Sequence, residues 1–385
     1  MKNNLVTNNL LVRAIVACVA VMAVTACGGG DGESAPIASP TPTPAPTPQF
    51  SRAYVTNGTD KIFQYSIGSD GSLSPLTPAS LATIINTKNL AVAVDPSGRF
   101  AYVANRGTAL GASSYISQYI IGADGTLSPM SIASVETAAN PYFVAVHPSG
   151  KFLYAVNNIT SVGKISQYKI DENGSLSPMS TPSVDAGSGA RSIAIDTSGK
   201  FAYVANFGSN TISQYVIGTD GALSPMATPT VATGSSPYSV AMHPSGKFVY
   251  AANWGAASVS QFIVGTDGSL SPMATDTVST DIKPYFIAID SLGKFAYVAN
   301  WGSKTITQYT ISANGALTMS AARVTTPSNP QFLTVDPSDK YVYVSGNEVS
   351  RYSIGTDGSL STASSTNSTA IPGGPFMTTA KPAKI

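Results

Sequence analysis

Chemistry in this 385-residue chain has to come from few groups. The two histidines, His147 and His243, each precede a Pro-Ser-Gly-Lys turn. Asp95, Asp196, Asp290 and Asp336 hold the same place in other copies of that turn, so both rings read as turn residues. A Ser-His-Asp arrangement therefore has no base. The two cysteines, Cys18 and Cys27, lie near the N-terminus and leave the body without a thiol for catalysis or metal binding. No cluster of His, Cys and carboxylates has metal spacing. The recurrent Asp-Gly pairs lack the further ligands of a calcium loop, and no glycine-rich loop leads from a strand into a helix to hold phosphate. No cofactor is expected. Charged residues make up 11% of the chain and the formal net charge is +1, which argues against a nucleic-acid partner.

Two sets of residues remain. The first is Arg191 with Glu136 and Asp185 in adjoining loops. An arginine can stabilise the oxyanion formed when an ester carbonyl is attacked, and a carboxylate can activate the attacking water. The plainer reading of all three is solvated loop charge. The second set is aromatic. Trp254 and Trp301, the chain's two tryptophans, fall at one repeat position, directly after a recurring asparagine. Phe207 holds that position one repeat earlier, and Arg106 and Asn158 hold it before that. With Tyr142, Tyr238 and Tyr285 they compose an expected ligand-binding sector suited to a glycan, a protein segment or a small, partly apolar ligand. The alternative is that these rings pack between structural units.

The positions just compared belong to a repeat. Tyr-Val-Thr-Asn begins at Tyr54, and variants begin at Tyr102, Tyr154, Tyr203, Tyr250, Tyr297 and Tyr343, in steps of 46 to 52 residues. In one unit, Pro284 to Ile289 is an apolar run of strand length, Phe295 to Asn300 a second strand and Thr305 to Ile311 a third. Asn314-Gly315 then supplies a tight hairpin before a short fourth strand. Four antiparallel strands per 46 to 52 residues describe a propeller blade. The first repeat opens at Ser51 on its second strand, whereas the last is followed by Gly374-Pro375-Phe376-Met377, which aligns with Pro141-Tyr142-Phe143-Val144 of an innermost strand. The expected fold is all-β: a seven-bladed β-propeller of four-stranded antiparallel blades, closed by the C-terminal strand joining the N-terminal blade. The residues opening each innermost strand are then Leu90, Tyr142, Arg191, Tyr238, Tyr285, Gln331 and Phe376. The asparagines of the Tyr-Val-Ala-Asn units are expected to cap the turn after the second strand.

Residues ahead of the repeats read differently. Lys2 and Arg13 precede an apolar stretch of 11 residues, Ala14 to Val24, too short to span a bilayer and right for a signal-peptide core. Val24-Thr25-Ala26-Cys27 resembles the lipobox of bacterial lipoproteins, which implies a signal peptide over 1–26 and lipidation of Cys27. Gly28, in place of an inner-membrane retention aspartate, implies outer-membrane anchoring. Residues 27–49 form a Pro/Thr-rich tether, extended in polyproline II to about 70 Å at most. The propeller is expected over 50–385, and the chain is expected to be exported and lipid-anchored in the cell envelope, facing the periplasm or the surface.

The Tyr-Val-Ala-Asn units and the Asp/His-Pro-Ser-Gly-Lys/Arg turns resemble the YVTN-repeat propellers, relatives of the seven-bladed lactonases of the 6-phosphogluconolactonase and muconate cycloisomerase types. That resemblance covers residues 51–385 and implies a lactonase-like fold. Members place histidines at the start of the innermost strand, and none stands there in this chain. The leading functional reading from the sequence is accordingly an envelope lipoprotein whose propeller is a binding module. The alternatives are a lactonase-type hydrolase that opens a cyclic ester and a purely structural propeller.

Overall fold

A computed structural model of the chain describes residues 51–380 apart from 85, 110–111, 160, 321–322 and 362–375. The expectations for residues 1–49, Cys27 among them, lie outside the described residues. Every described residue belongs to the unit that spans Pro48–Ile385.

Seven antiparallel sheets stand side by side, and six of them carry the four strands the repeat requires. Blade 2 runs Thr87–Val94, Phe100–Gly107, Ser114–Ile121 and Leu127–Thr137, from innermost to outermost strand. Blade 3 opens with Pro141–Val146, blade 4 with Ala190–Ile195 and blade 5 with Pro237–Met242. Blade 6 has its strands at Pro284–Ile289, Phe295–Asn300 and Thr305–Ile311, the limits expected from the sequence, followed by Leu317–Met319. Blade 7 has three strands, Phe332–Val335, Tyr341–Ser345 and Val349–Ser353, and a single bridge between Ile354 and Leu360 where a fourth strand would run. Blade 1 takes its innermost strand, Met377–Ala380, from the other end of the chain. There Val55 pairs with Met377 and Arg52 with Ala380. The Phe376 amide donates to the Thr56 hydroxyl at 3.1 Å, and the Thr56 amide to the Phe376 carbonyl at 2.9 Å. The expected closure is present.

The apolar core lies between blades. Tyr154 and Val156 of blade 3, for example, pack with Ala202 and Val204 of blade 4. One polar bond recurs through these joints. The motif tyrosine of each blade donates its hydroxyl to the carbonyl of the Asp/Asn-Gly turn in the next blade: Tyr54 to Gly125 at 2.7 Å, Tyr203 to Gly268 at 2.7 Å, and Tyr343 of blade 7 round to Gly71 of blade 1 at 2.6 Å. Burial raises these phenols above their ordinary range, so they remain donors. Gly268 is required at its turn, since φ is +83° and a Cβ there would stand 2.3 Å from the Phe201 ring.

A glutamine repeats the stitch. Gln214 sits at a ladder irregularity of the third strand, donates to the Thr228 carbonyl of its own blade at 2.9 Å and accepts the Leu270 amide of the next at 2.6 Å. Gln64, Gln118, Gln167, Gln261 and Gln308 accept from the corresponding leucine amides. The seventh joint departs from this pattern: Arg351 stands in the glutamine position and donates to the Asp70 carbonyl at 2.8 Å.

Candidate functional site

The innermost strands begin at the face where the second strands end, here called the mouth. In blades 2 to 6 each opens with a register shift that leaves one residue outside the ladder: Leu90, Tyr142, Arg191, Tyr238 and Tyr285. A bulge re-aims its extra side chain and increases local twist. Five of the seven ring residues aligned from the sequence are these bulge residues. Phe376 is not at that position: Val55 pairs with Met377 as Ala155 pairs with Val144, which puts Phe376 in the place of Phe143.

In blades 3 to 6 a second device sits two residues before the bulge. Asn140, Gly189, Ser236 and Lys283 all have φ between +55° and +67°. Three of their carbonyls fix the aromatic positions: Gly189 accepts the Phe207 amide at 3.1 Å, Ser236 that of Trp254 at 2.9 Å and Lys283 that of Trp301 at 2.9 Å. The residue after each motif asparagine is thereby held against the start of the innermost strand.

Arg191 is the centre of the sector. Its guanidinium carbon lies 4.5 Å from the Tyr142 ring centroid, 4.7 Å from Tyr238 and 4.8 Å from Phe207. Nη1 donates to the Tyr238 hydroxyl at 3.2 Å, while Nε is buried without a partner. Asn158 Nδ2, in the preceding blade at the repeat position of Phe207, is a second buried donor without a partner. Two unsatisfied donors at one mouth are costly unless a ligand or water accepts from them. The Tyr238 hydroxyl in turn donates to that of Tyr285, and the Tyr142 hydroxyl bonds to both, at 2.8 Å to Tyr285. Burial, with the neighbouring Tyr142 adding to it, pushes Tyr238 and Tyr285 well above the usual tyrosine range, which keeps their protons on oxygen. Beside this layer Phe143, Phe286, Phe332 and Phe376 pack ring to ring across the axis, with centroids 4.1 to 6.5 Å apart. A chamber of about 180 Å³ adjoins them, lined by Ala91, Phe143, Phe332 and Met377 among others.

The tryptophans are half-buried, so they are neither sealed between blades nor fully open. One face of each is taken by a cation: Lys283 Nζ lies 4.8 Å from the Trp254 ring and 5.4 Å from Trp301. Phe207 links the two cationic centres, lying 5.8 Å from Trp254. Sequence reasoning found Arg191 and the rings but missed Lys283 and Asn158. Nothing in Lys-Pro-Tyr by itself signals the left-handed backbone that turns Lys283 onto the indoles.

Glu136 and Asp185 are placed elsewhere. Each sits at the end of an outermost strand, in blades 2 and 3, and each side chain is exposed. Asp185 pairs with Lys164 across its own ladder. Among the described residues no hydrogen bond or ion pair joins Arg191 to either carboxylate. His147 and His243 lie at the opposite face, as expected, with Nε2 against the Gly199 and Gly293 carbonyls at 2.8 and 2.9 Å. A carbonyl only accepts, so Nε2 carries the proton and Nδ1 receives the Ser149 or Ser245 amide, each at 3.1 Å. Both rings are joint pieces. An open cleft of about 760 Å³ also lies on that face, between Asp95–Phe100, Ser149–Phe152 and Lys169–Glu172, and its lining carries charges of both signs. Among the described residues no group of three His, Cys, Asp or Glu side chains is arranged to hold a metal.

The motif asparagines are only in part turn caps. Asn57 Oδ1 does accept the Thr59 and Lys61 amides, at 3.0 and 3.1 Å. Asn206, Asn253 and Asn300 instead donate Nδ2 to the Ser213, Ser260 and Thr307 hydroxyls of the third strand, at 2.8 to 2.9 Å.

Seven blades with their core shared between neighbours define a seven-bladed β-propeller. The family model for the lactonase 7-bladed beta-propeller matches residues 45–157, 111–237, 211–284 and 273–373, and the chain belongs to that family. No curated protein matches it. Among solved structures it is similar to a periplasmic gluconolactonase of Pseudomonas aeruginosa, with 17% identity, a TM-score of 0.75, and 86% of this chain and 99% of that one covered. A candidate 6-phosphogluconolactonase of Bacteroides fragilis is alike at 19% identity and a TM-score of 0.75, covering 88% of this chain and 100% of that one. Another from Bacteroides uniformis gives 17%, a TM-score of 0.74 and coverages of 86% and 100%. At these identities the likeness is one of fold.

Proposed function

We propose that the chain is a lactonase-type hydrolase that opens a cyclic ester at the mouth of blades 3 to 6. The observation that carries this reading is Arg191: a cation held over three rings, its buried Nε unpartnered and, among the described residues, no carboxylate hydrogen-bonded or ion-paired to it. A lactone carbonyl oxygen is an acceptor that these donors suit. Water adds to the carbonyl carbon, the oxygen gains negative charge opposite the guanidinium, and the ring C–O bond then breaks. The alkoxide takes up the proton that the added water gives up, and the product is a hydroxy acid. Arg191 acts on the oxyanion, and the Tyr238 hydroxyl, which accepts from it, positions the guanidinium. Neither Glu136 nor Asp185 touches this centre, so the proposal gives the general-base role to neither. The binding-module reading draws on the same aromatic mouth and has no observation of its own in favour.

A lactone-hydrolysis panel on the mature protein tests the proposal. Arg191→Ala should lower kcat/KM by about 10²- to 10³-fold with the melting temperature nearly unchanged. No hydrolysis of any lactone, or turnover indifferent to the substitution, would sink it.

Export and anchoring enter the same reading. The Val-Thr-Ala-Cys sequence supports lipidation of Cys27, and Ser51 begins its strand at the face opposite the mouth. Labelled palmitate should enter the protein and be lost in Cys27→Ser; label retained by that variant refutes the anchor.

A further inference from the structure

Opening a cyclic ester moves one proton from the attacking water to the leaving oxygen. Among the described residues no carboxylate or imidazole is hydrogen-bonded to Arg191 or to the tyrosine layer to carry it. What the centre holds is three phenols. Each has one proton to give and lone pairs to receive with, so three phenols bonded in a triangle fix one another's directions. Tyr238 donates to Tyr285, which uses its only proton. Tyr142 therefore donates to Tyr238, and Tyr285 donates to Tyr142 at 2.8 Å. Tyr238 also accepts from Arg191 Nη1 at 3.2 Å, so its hydroxyl is fully engaged. The Tyr142 and Tyr285 oxygens each give one bond and receive one within the triangle, and each can receive another. Burial follows the same split, since Tyr238 is buried and the other two are partly exposed.

The cation is shared unequally as well. Arg191 lies 4.5 Å from the Tyr142 ring, whereas Tyr285 is not among the three rings under the guanidinium. A nearby positive charge helps a phenol to release its proton, so Tyr142 is the donating end of the pair and Tyr285 the receiving end.

We propose that Tyr285 and Tyr142 are catalytic residues that pass the proton along the hydrogen bond between them. The Tyr285 oxygen takes a proton from water as the new C–O bond forms, and the Tyr285 proton moves to the Tyr142 oxygen. The Tyr142 proton goes to the ring oxygen as its bond to the carbonyl carbon breaks. One proton enters, one leaves, and both residues end as neutral phenols. Tyr238 holds the pair against Arg191 and does not touch the substrate. Burial keeps Tyr285 well above the usual tyrosine range, which suits a hydroxyl that relays a proton without resting as phenolate. This rests on the hydrolase reading and adds the path of its proton.

The test compares two six-membered lactones on the mature protein. δ-Valerolactone releases an alkoxide, which must be protonated as it leaves. Dihydrocoumarin releases a phenolate, whose conjugate acid has a pKa of about 10 and which leaves without a proton. Tyr142→Phe should lower kcat/KM for δ-valerolactone about 10²-fold, and for dihydrocoumarin by no more than about threefold. Tyr285→Phe removes the acceptor for water and should lower both about tenfold or more. Each variant keeps its ring and should melt nearly as the wild type does. Equal losses on the two lactones in Tyr142→Phe, or no loss on either, overturns the relay. Turnover that falls in Arg191→Ala but is indifferent to both tyrosine substitutions removes only this inference. Hydrolysis of neither lactone by the wild type removes the relay together with the hydrolase reading.

Discussion

Blades 3 to 6 and blades 7, 1 and 2 are cut from one pattern yet differ at the mouth. The first sector presents Tyr142, Arg191, Tyr238 and Tyr285, fixed by left-handed turns and backed by Phe207, Trp254 and Trp301. The second presents Leu90 and Gln331 at the aligned positions, with no cation among them, while Phe376 lies one place further along, in the register of Phe143. The tyrosine-to-glycine stitch, by contrast, passes through both sectors and across the seventh joint. Side chains that hold the ring together therefore recur, while those that make the site do not. The differences between blades fall at the bulge, where a side chain stands outside the ladder and can change without disturbing strand pairing.

The second sector also contains both chain ends, and the comparison breaks most visibly there. A chain ending at Ser368 loses the four paired residues Met377–Ala380 and the Phe376–Thr56 bonds. It exposes the core face of Val55 and removes Phe376, which packs edge-on to Tyr142 at 6.1 Å. Stability should fall on the order of 5 kcal/mol, seen as a large drop in urea midpoint, and the mouth should lose its ligand with it. A truncated chain that melts like the full-length protein would show that the seven joints are not a closed system.

What the sequence discloses follows the same division. The strand limits of blade 6 and the closing strand are legible because period-two runs, Asn-Gly turns and repeat counting are local or arithmetical features. The motif tyrosine and the turn glycine were each visible as repeats, but not as partners: Tyr203 and Gly268 lie 65 residues apart in different units. The ring positions emerge from aligning the repeats. Their contacts do not: Arg191 and Lys283 lie over the faces of the aromatic row. A cation over a ring leaves no periodic trace in a sequence.

Two single-oxygen deletions sharpen the comparison at smaller scale. Tyr203→Phe removes a stitch and strands the Gly268 carbonyl in a buried joint, so it should cost about 1–3 kcal/mol of stability and leave lactone turnover nearly unchanged. Tyr238→Phe keeps the ring under Arg191 but removes the hydroxyl that accepts from it, so stability should move little while kcat/KM falls about tenfold. Equal effects of the two variants on both readouts would erase the distinction between joint and site. pH carries the test further. Burial raises Tyr238 above its ordinary value of about 10, and a raised pKa means that the proton stays on through the alkaline range. The gap between wild type and Tyr238→Phe should therefore persist as pH rises to about 10. A gap that closes below that point would mean that the hydroxyl ionises early and that water reaches the layer which Tyr142, Tyr238 and Tyr285 seal together.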